Sequence, residues 1–228
     1  MIQLTFQGWT GSSKGAWNKK SNVLEAKKTA SASGLITLEA SVTANSLAGN
    51  DVLSAEVDAG RAINLAGTLL LQDDQDELTG LSAIGVGIRN TGVIDMGQDD
   101  DKIIAFGKER GLFNSGSILM GDGNDRVDIR RGALTGKGLI DLGNGDDTIA
   151  AFGKHSIEAG RGRDTMLLRR GRYDIFISDC GCNLVIAGRG TLLAVDDMER
   201  IGSSLSGNTV GLREGTLQIS GDGGVSYI

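Results

Sequence analysis

An aspartate returns along the chain at nearly fixed intervals, each time behind a glycine-rich turn. The segments MGDGNDRVDI (120–129) and DLGNGDDTIA (141–150) align letter by letter, and DMGQDDDKII (95–104) and EAGRGRDTML (158–167) keep the same order. Two weaker copies lie upstream. The motif aspartates are Asp51, Asp76, Asp101, Asp125, Asp147 and Asp164. Glycine lets backbone carbonyls face a common point and the aspartate adds a carboxylate, so each turn is rich in the oxygen atoms that hard cations prefer.

The spacing of these aspartates predicts the architecture that positions them. Successive motif aspartates are separated by 25, 25, 24, 22 and 17 residues. A period near two dozen residues is typical of a solenoid, in which each repeat is one coil. Parallel crossovers are nearly always right-handed. We therefore predict an all-β, right-handed parallel β-solenoid of about six coils of 17–25 residues, with capped ends and every aspartate turn on one edge.

Each coil is predicted to contain two strands and a corner. A glycine (Gly67, Gly92, Gly116 or Gly138) opens a short alternating strand, the aspartate turn follows, and a second strand begins after the aspartate. Glycine-rich corners such as FGKERG and RRGALTG then return the chain. Alternation predicts a set of inward side chains. They are Ile94, Met96, Ile103, Ile118, Met120, Val127, Ile140, Leu142, Ile149 and Ile157.

Four segments are expected along the chain. Residues 1–35 lack the repeat and are predicted to form an N-terminal cap, and residues 36–170 are the solenoid repeats. Residues 171–202 alternate without an aspartate turn and are predicted to be closing strands. Residues 203–228 form a Ser/Gly-rich tail that could contain a C-terminal secretion signal.

Stacked turns could surround calcium, which takes six to eight oxygen ligands at about 2.3–2.6 Å. We predict calcium ions between the turns of Asp101 and Asp125 and between those of Asp125 and Asp147. The candidate ligands are Asp101, Gly121, Asp122, Gly123, Asp125, Gly143, Gly145, Asp146 and Asp147. Without a cation, aspartates about 5 Å apart would repel one another. The alternative is a metal-free solenoid whose aspartates hydrogen-bond the neighbouring turn.

These turns resemble the hemolysin-type (RTX) calcium-binding repeats, whose nonapeptide is Gly-Gly-x-Gly-x-Asp-x-apolar-x. GDGNDRV (121–127) and GNGDDTI (143–149) match all but the first glycine of that nonapeptide. The longer pattern is similar to the GxIxxGxGxDxI solenoid repeats of cyanobacterial proteins, over about residues 45–202. The resemblance implies a parallel β-roll or β-helix, calcium between turns, and export through a type I route with a C-terminal signal.

The chain also departs from that pattern. The family's rolls have a calcium turn every nine residues on both edges, whereas this chain has one aspartate turn per coil. Gln72 and Asp99 replace motif glycines, and the last turn contains Arg161 and Arg163, whose guanidinium groups could take the place of a cation.

Composition excludes several classes of function. The net charge of −6 argues against a nucleic-acid surface. No apolar run is long enough to span a membrane, and the N-terminus does not read as a cleaved secretory signal. Cys180 and Cys182 form a lone CGC that is too small for a metal quartet or a disulfide framework. His155 is the only histidine and is predicted to be a surface residue.

Arginines accumulate toward the C-terminal coils, and their clustering has two interpretations. They are Arg130, Arg131, Arg161, Arg163, Arg169, Arg170 and Arg172. One reading is salt bridging to the stacked acidic turns, and the other is a surface for a protein or an anionic polymer.

Three functions remain open at this point. The first is a non-enzymatic, calcium-binding solenoid that is secreted or displayed at the cell surface as a structural or adhesive module. The second is a metal-free scaffold for protein–protein interaction in the cytoplasm. The third is a parallel β-helix enzyme that acts on acidic polysaccharides. The small number of aromatic residues and the lack of a long loop that could build a cleft argue against it.

Overall fold

The chain folds as a right-handed parallel β-solenoid, as predicted, with about five turns rather than about six. The structure is a computed structural model that describes residues 4–6, 23–32, 34–46, 48–176, 184–187, 192–196, 200–203, 209–210, 214–219 and 225–227. Cys180 and Cys182 lie outside these residues. No helix long and apolar enough to span a membrane occurs in the described part of the chain.

All regular elements of the described residues are strands, in the following order. They are β1 (Leu4–Phe6), β2 (Val23–Ala32), β3 (Ile36–Leu38), β4 (Thr43–Asn45), β5 (Val52–Leu65), β6 (Thr68–Leu70), β7 (Glu77–Ser82), β8 (Val86–Asn90), β9 (Val93–Asp95), β10 (Lys102–Gly107), β11 (Arg110–Asn114) and β12 (Ser117–Leu119). They continue with β13 (Arg126–Arg131), β14 (Leu134–Thr135), β15 (Leu139–Asp141), β16 (Thr148–Glu158), β17 (Thr165–Phe176), β18 (Leu184–Ala187), β19 (Leu192–Asp196), β20 (Arg200–Ser203), β21 (Thr209–Val210), β22 (Glu214–Ile219) and β23 (Val225–Tyr227).

A central coil contains three strands rather than the predicted two. β7, β10 and β13 form one parallel stack, β8, β11 and β14 a second, and β6, β9, β12 and β15 a third. The second stack lies within segments that were predicted to be corners. These strands are two to five residues long, and β8 and β11 each contain a glycine, so they show little alternation of their own.

The predicted inward side chains form the core. All ten of them are at most 1% exposed. Burial alternates along the longer strands, for example in β10, where every second residue is buried. The strands are therefore stabilised by continuous apolar rows that run along the axis of the solenoid.

The coil between Asp147 and Asp164 is the shortest because one strand replaces three. β16 pairs with β13, β14 and β15 in turn, so two corners of the preceding coil are absent from it. The 17-residue interval between these aspartates therefore corresponds to a coil without those corners. In the pairing of β16 with the next strand, β17, a register shift lies between Phe152 and Gly153, where β17 has one extra residue.

Parallel pairing continues beyond the repeats at both ends. β2 pairs in parallel with β5, although its residues fall in the segment predicted to be a cap. At the C-terminal end β18, β19 and β20 extend the parallel ladders. Antiparallel strands then follow: β1 on β3, β21 on β20, and β22 on β19.

Candidate functional site

The motif aspartates form a buried ladder along one edge of the solenoid. Asp101, Asp125 and Asp147 lie in adjacent coils, as the spacing predicts, and they are 1–2% exposed. In each pair the carboxylate Oδ1 accepts a hydrogen bond from the backbone N–H of the aspartate one coil earlier. The donor–acceptor distances, from Asp51–Asp76 to Asp147–Asp164, are 2.7, 2.8, 2.8, 2.7 and 3.0 Å. The ladder therefore joins six aspartates in succession.

The second carboxylate oxygen, Oδ2, differs from Oδ1 in its hydrogen bonding. Oδ2 of Asp76, Asp101, Asp125 and Asp147 is buried and has no hydrogen-bond partner among the described residues. A buried charge without a partner is costly, because the interior cannot replace the solvation that water provides. Each of these carboxyls must therefore be neutralised by a proton or by a cation.

Burial raises the pKa of the ladder carboxyls. The pKa is about 9 for Asp101, about 8 for Asp147 and about 7 for Asp76. It is about 6 for Asp125 and Asp164. Loss of solvation is the largest cause in every case, the backbone hydrogen bond opposes it, and neighbouring carboxylates raise the pKa further. At neutral pH, Asp101 and Asp147 are therefore mainly protonated, whereas Asp125 and Asp164 become mainly protonated only below about pH 6.

The backbone carbonyls of the turns are already hydrogen-bonded between coils. The carbonyl of Gly121 accepts from the N–H of Asn144 at 2.8 Å, and that of Gly143 accepts from the N–H of Arg161 at 2.8 Å. The N–H groups of Gly123 and Gly145 donate to the carbonyls of Asn144 and Arg161. The carbonyls of Gly121 and Gly143, which were expected to face a cation, thus belong to the inter-coil ladder.

The close stacking of the turns explains the motif glycines. Gly121 and Gly143 have φ values of 104° and 90°, and Gly123 and Gly145 have 147° and 140°. A Cβ on Gly143 would lie 1.9 Å from the carbonyl oxygen of Gly121, and one on Gly145 would lie 1.8 Å from that of Gly123. The motif therefore requires glycine for backbone conformation and close approach, whether or not a cation is bound.

In the turns of Asp76 and Asp101, two side chains occupy positions where later turns have glycine, and both residues also have a positive φ. Gln72 has φ 80° and Asp99 has φ 77°. These values lie close to the left-handed helical region, which a non-glycine residue can enter at some cost. The replacements therefore preserve the turn.

The predicted auxiliary ligands, Asp122 and Asp146, lie on the outer, exposed side of the turns. Oδ1 of Asp122 accepts from the side-chain amide of Asn144, and Oδ1 of Asp146 accepts from the backbone N–H of Arg163. Asn124 links the same row, because its N–H donates to Asp100 and its Oδ1 accepts from the N–H of Asp146. This outer row points its side chains toward the following coil, opposite to the inner aspartate ladder.

The residues as placed do not fit a calcium shell. No group of three or more His, Cys, Asp or Glu side chains within the described residues could hold a metal ion. Between these turns the carbonyls of Gly121 and Gly143 and the Oδ1 atoms of the ladder accept hydrogen bonds, which leaves the Oδ2 atoms of Asp101, Asp125 and Asp147 in the interior. Calcium takes six to eight oxygens. Calcium binding stays a prediction that titration can test.

The prediction for His155 was wrong, because its side chain is 3% exposed. Its Nδ1 lies 2.9 Å from the carbonyl oxygen of Ser156, and its Nε2 lies 3.2 Å from that of Asn114. Nearby, the side-chain amide of Asn90 donates to Oδ1 of Asn114 at 2.9 Å. The recurrence of Asn-x-Gly at Asn90 and Asn114 was the sequence signal for this second buried polar row. The sequence did not show that the row reaches His155.

The arginine-rich coils show ion pairs at a strand rather than at the turns. Asp128 lies between Arg126 and Arg130, and these pairs lower the pKa of Asp128 to about 2, with the Arg130 hydrogen bond as the largest cause. Arg161 and Arg163 contribute backbone N–H groups to the turn rows. Within the described residues, the expected guanidinium bridges to the acidic turns are not seen.

The fold and the ladder define the chain as a β-solenoid repeat protein. Comparisons with protein-family models, with curated proteins and with solved structures found no match. The hemolysin-type resemblance therefore stays an expectation from the motif residues.

Proposed function

We propose that the chain is a non-enzymatic, structural β-solenoid whose coils are held in register by hydrogen bonds to its buried aspartates. The observation that carries this proposal is the unbroken series of Oδ1···H–N hydrogen bonds between coils. A carboxyl in this position contributes to stability as a hydrogen-bond acceptor and is not available to a substrate.

The burial of the motif aspartates and of His155 supports a non-enzymatic role. The motif aspartates are at most 2% exposed and His155 is 3% exposed. A general acid or base must lie within hydrogen-bond reach of its substrate, which these side chains do not. Assays of the purified protein on uronic-acid polymers test the alternative of a polysaccharide-degrading enzyme, and turnover by the intact chain would contradict our proposal.

Calcium stabilisation is the second candidate, and the buried Oδ2 atoms are the observation that favours it. The two candidates differ in what Asp125→Asn does. Asparagine keeps the acceptor for the N–H of Asp101 but removes the carboxylate that a cation needs. At pH 5, where Asp125 is protonated, the metal-free ladder predicts that Asp125→Asn folds with stability similar to that of the parent. Asp125→Ala should lose about 1–3 kcal/mol, because the buried N–H of Asp101 is left unpaired.

Melting temperatures in a calcium series at pH 8, with chelator and magnesium controls, provide the measurement. A metal-free ladder predicts the same melting temperature throughout the series. A rise at millimolar calcium that Asp125→Asn abolishes would contradict the metal-free proposal and establish the calcium candidate, because a ligand that binds only the folded state stabilises it by mass action.

The structural role suits either a secreted or surface-displayed module or a cytoplasmic scaffold, and we propose the former from the motif resemblance. Residues 203–228 would then contain the signal for export. Fusing this segment to a reporter and following the reporter between cytoplasm and medium tests the idea directly. A fusion that stays in the cell favours the cytoplasmic scaffold.

A further inference from the structure

A cavity of about 360 Å³ lies on the lateral face formed by β5, β8 and β11, away from the aspartate ladder. Its charged lining consists of Arg61, Arg89 and Arg110 together with Glu109. Phe113 provides an aromatic wall. Three guanidinium groups around one cavity are unusual for a chain with a net charge of −6.

The solenoid itself brings these arginines together. Arg61 and Arg110 are both in register with Val86, from the coils on either side of it, so their backbones are about 10 Å apart. Arg89 belongs to the middle coil and is in register with Asn64 and Phe113. The arginines therefore come from three successive coils and are far apart in sequence.

Two of the guanidinium groups are held in place by neighbours. The guanidinium carbon of Arg89 lies 5.6 Å from the centre of the Phe113 ring, and that of Arg110 lies 5.5 Å from it. Arg89 also donates to Oδ1 of Asn64 at 3.2 Å. A guanidinium ordered by a ring and an amide loses less conformational entropy when it binds a ligand.

The positive charge of the cavity is only partly compensated. Arg110 lies 3.7 Å from Glu109, and within the described residues no ion pair joins Arg61 or Arg89 to an acidic side chain. Burial is the main cause that lowers the pKa of Arg89, and the positive charge of Arg61 lowers it further. Three arginines against one glutamate leave a net charge of +2.

We propose that this cavity is a binding site for a phosphate-type oxyanion that carries at least two negative charges, such as a diphosphate or a phosphate ester. The planar fork of arginine matches phosphate oxygens in a bidentate manner. A doubly charged ligand balances the net charge of the lining, and the volume lies in the range of small-molecule sites. The site does not depend on the structural role proposed above.

Isothermal titration of the full chain with pyrophosphate, at constant ionic strength, tests the site. We expect saturable binding that Arg61→Gln and Arg89→Gln each weaken by about tenfold, because each removes a charge-assisted hydrogen bond. The matched control is Arg126→Gln, which removes the same charge outside the cavity and leaves Asp128 paired with Arg130. This control should bind like the parent.

Folding of each variant is checked by its melting curve. Arg61→Gln keeps the test informative if Arg89→Gln destabilises the fold, because Arg61 has no ion pair with a described residue and takes no part in the ring contacts. Equal weakening in all three variants would mean general attraction of anions and would overturn the proposal. So would binding of an oligouronate without binding of pyrophosphate, or no binding at millimolar pyrophosphate.

Discussion

At the scale of single residues, the same carboxyl group can bind a cation or act as a hydrogen-bond acceptor, and burial decides between the two. The ladder aspartates face inward and accept a backbone N–H from the preceding coil. Asp128 lies on a strand beside two arginines, and its pKa is lowered to about 2. The contrast shows that environment rather than residue type determines the protonation of an aspartate.

The raised pKa values predict that stability falls as the pH rises. A group whose pKa is higher in the folded state binds more protons when folded, so its stabilising contribution is complete below pH 3.8 and is lost as the pH passes through the folded pKa. With folded pKa values from about 6 to about 9, the free energy of unfolding should decrease between pH 5 and pH 9 in chelator, by on the order of a few kcal/mol. Urea unfolding across this range measures it.

Two variants distinguish the ladder from other titrating groups. Asp101→Asn should flatten the pH dependence, because it removes the carboxyl with the pKa of about 9. Asp128→Asn should lower stability equally at pH 5 and pH 9, since Asp128 is ionised throughout this range in both folded and unfolded chains. A stability that rises from pH 5 to pH 9 would contradict the protonated ladder.

At the scale of elements, the turns are specified by how closely the coils approach one another. The glycine positions combine a positive φ with a carbonyl oxygen from the neighbouring coil where a Cβ would lie. The first turns tolerate Gln72 and Asp99 because their φ values stay near 80°. The aspartate turn is therefore a structural requirement of stacking and does not by itself indicate a ligand.

Substitution in one turn tests this requirement. Gly145→Ala should destabilise the protein by about 1–3 kcal/mol or more, because alanine is strained at φ 140° and its Cβ would lie 1.8 Å from the Gly123 carbonyl oxygen. Asp99→Gly is the matched control in an equivalent turn position and should change the free energy of unfolding by less than about 1 kcal/mol. Urea unfolding compares them, and equal effects would mean that close approach does not matter.

At the scale of the whole molecule, a parallel solenoid must cover its two ends. An exposed parallel edge offers unpaired N–H and C=O groups to another chain. Here the last parallel strands are met by antiparallel ones, β1 on β3 at one end and β21 and β22 on β20 and β19 at the other. β3, β19 and β20 are thus covered by strands of the opposite direction.

Truncation after residue 203 should make the protein self-associate. It removes β21–β23 and exposes the edges of β19 and β20. We expect concentration-dependent oligomers in analytical ultracentrifugation. Removing only residues 225–228 is the control, because β23 pairs with β22 and leaves β19 and β20 covered. A truncated chain that stays monomeric would show that these strands do not protect the edges.

The sequence alone determined the period, the stacking of Asp101, Asp125 and Asp147, and the inward apolar rows, because a repeat places equivalent residues in equivalent surroundings in every coil. It did not determine which oxygens of the turns are free, why glycine is required there, or that His155 is buried. The third strand of the central coils and the cavity of Arg61, Arg89 and Arg110 also emerged only from the structure. These features depend on contacts between residues about one or two coils apart, which exist only when the coils are stacked in a particular register.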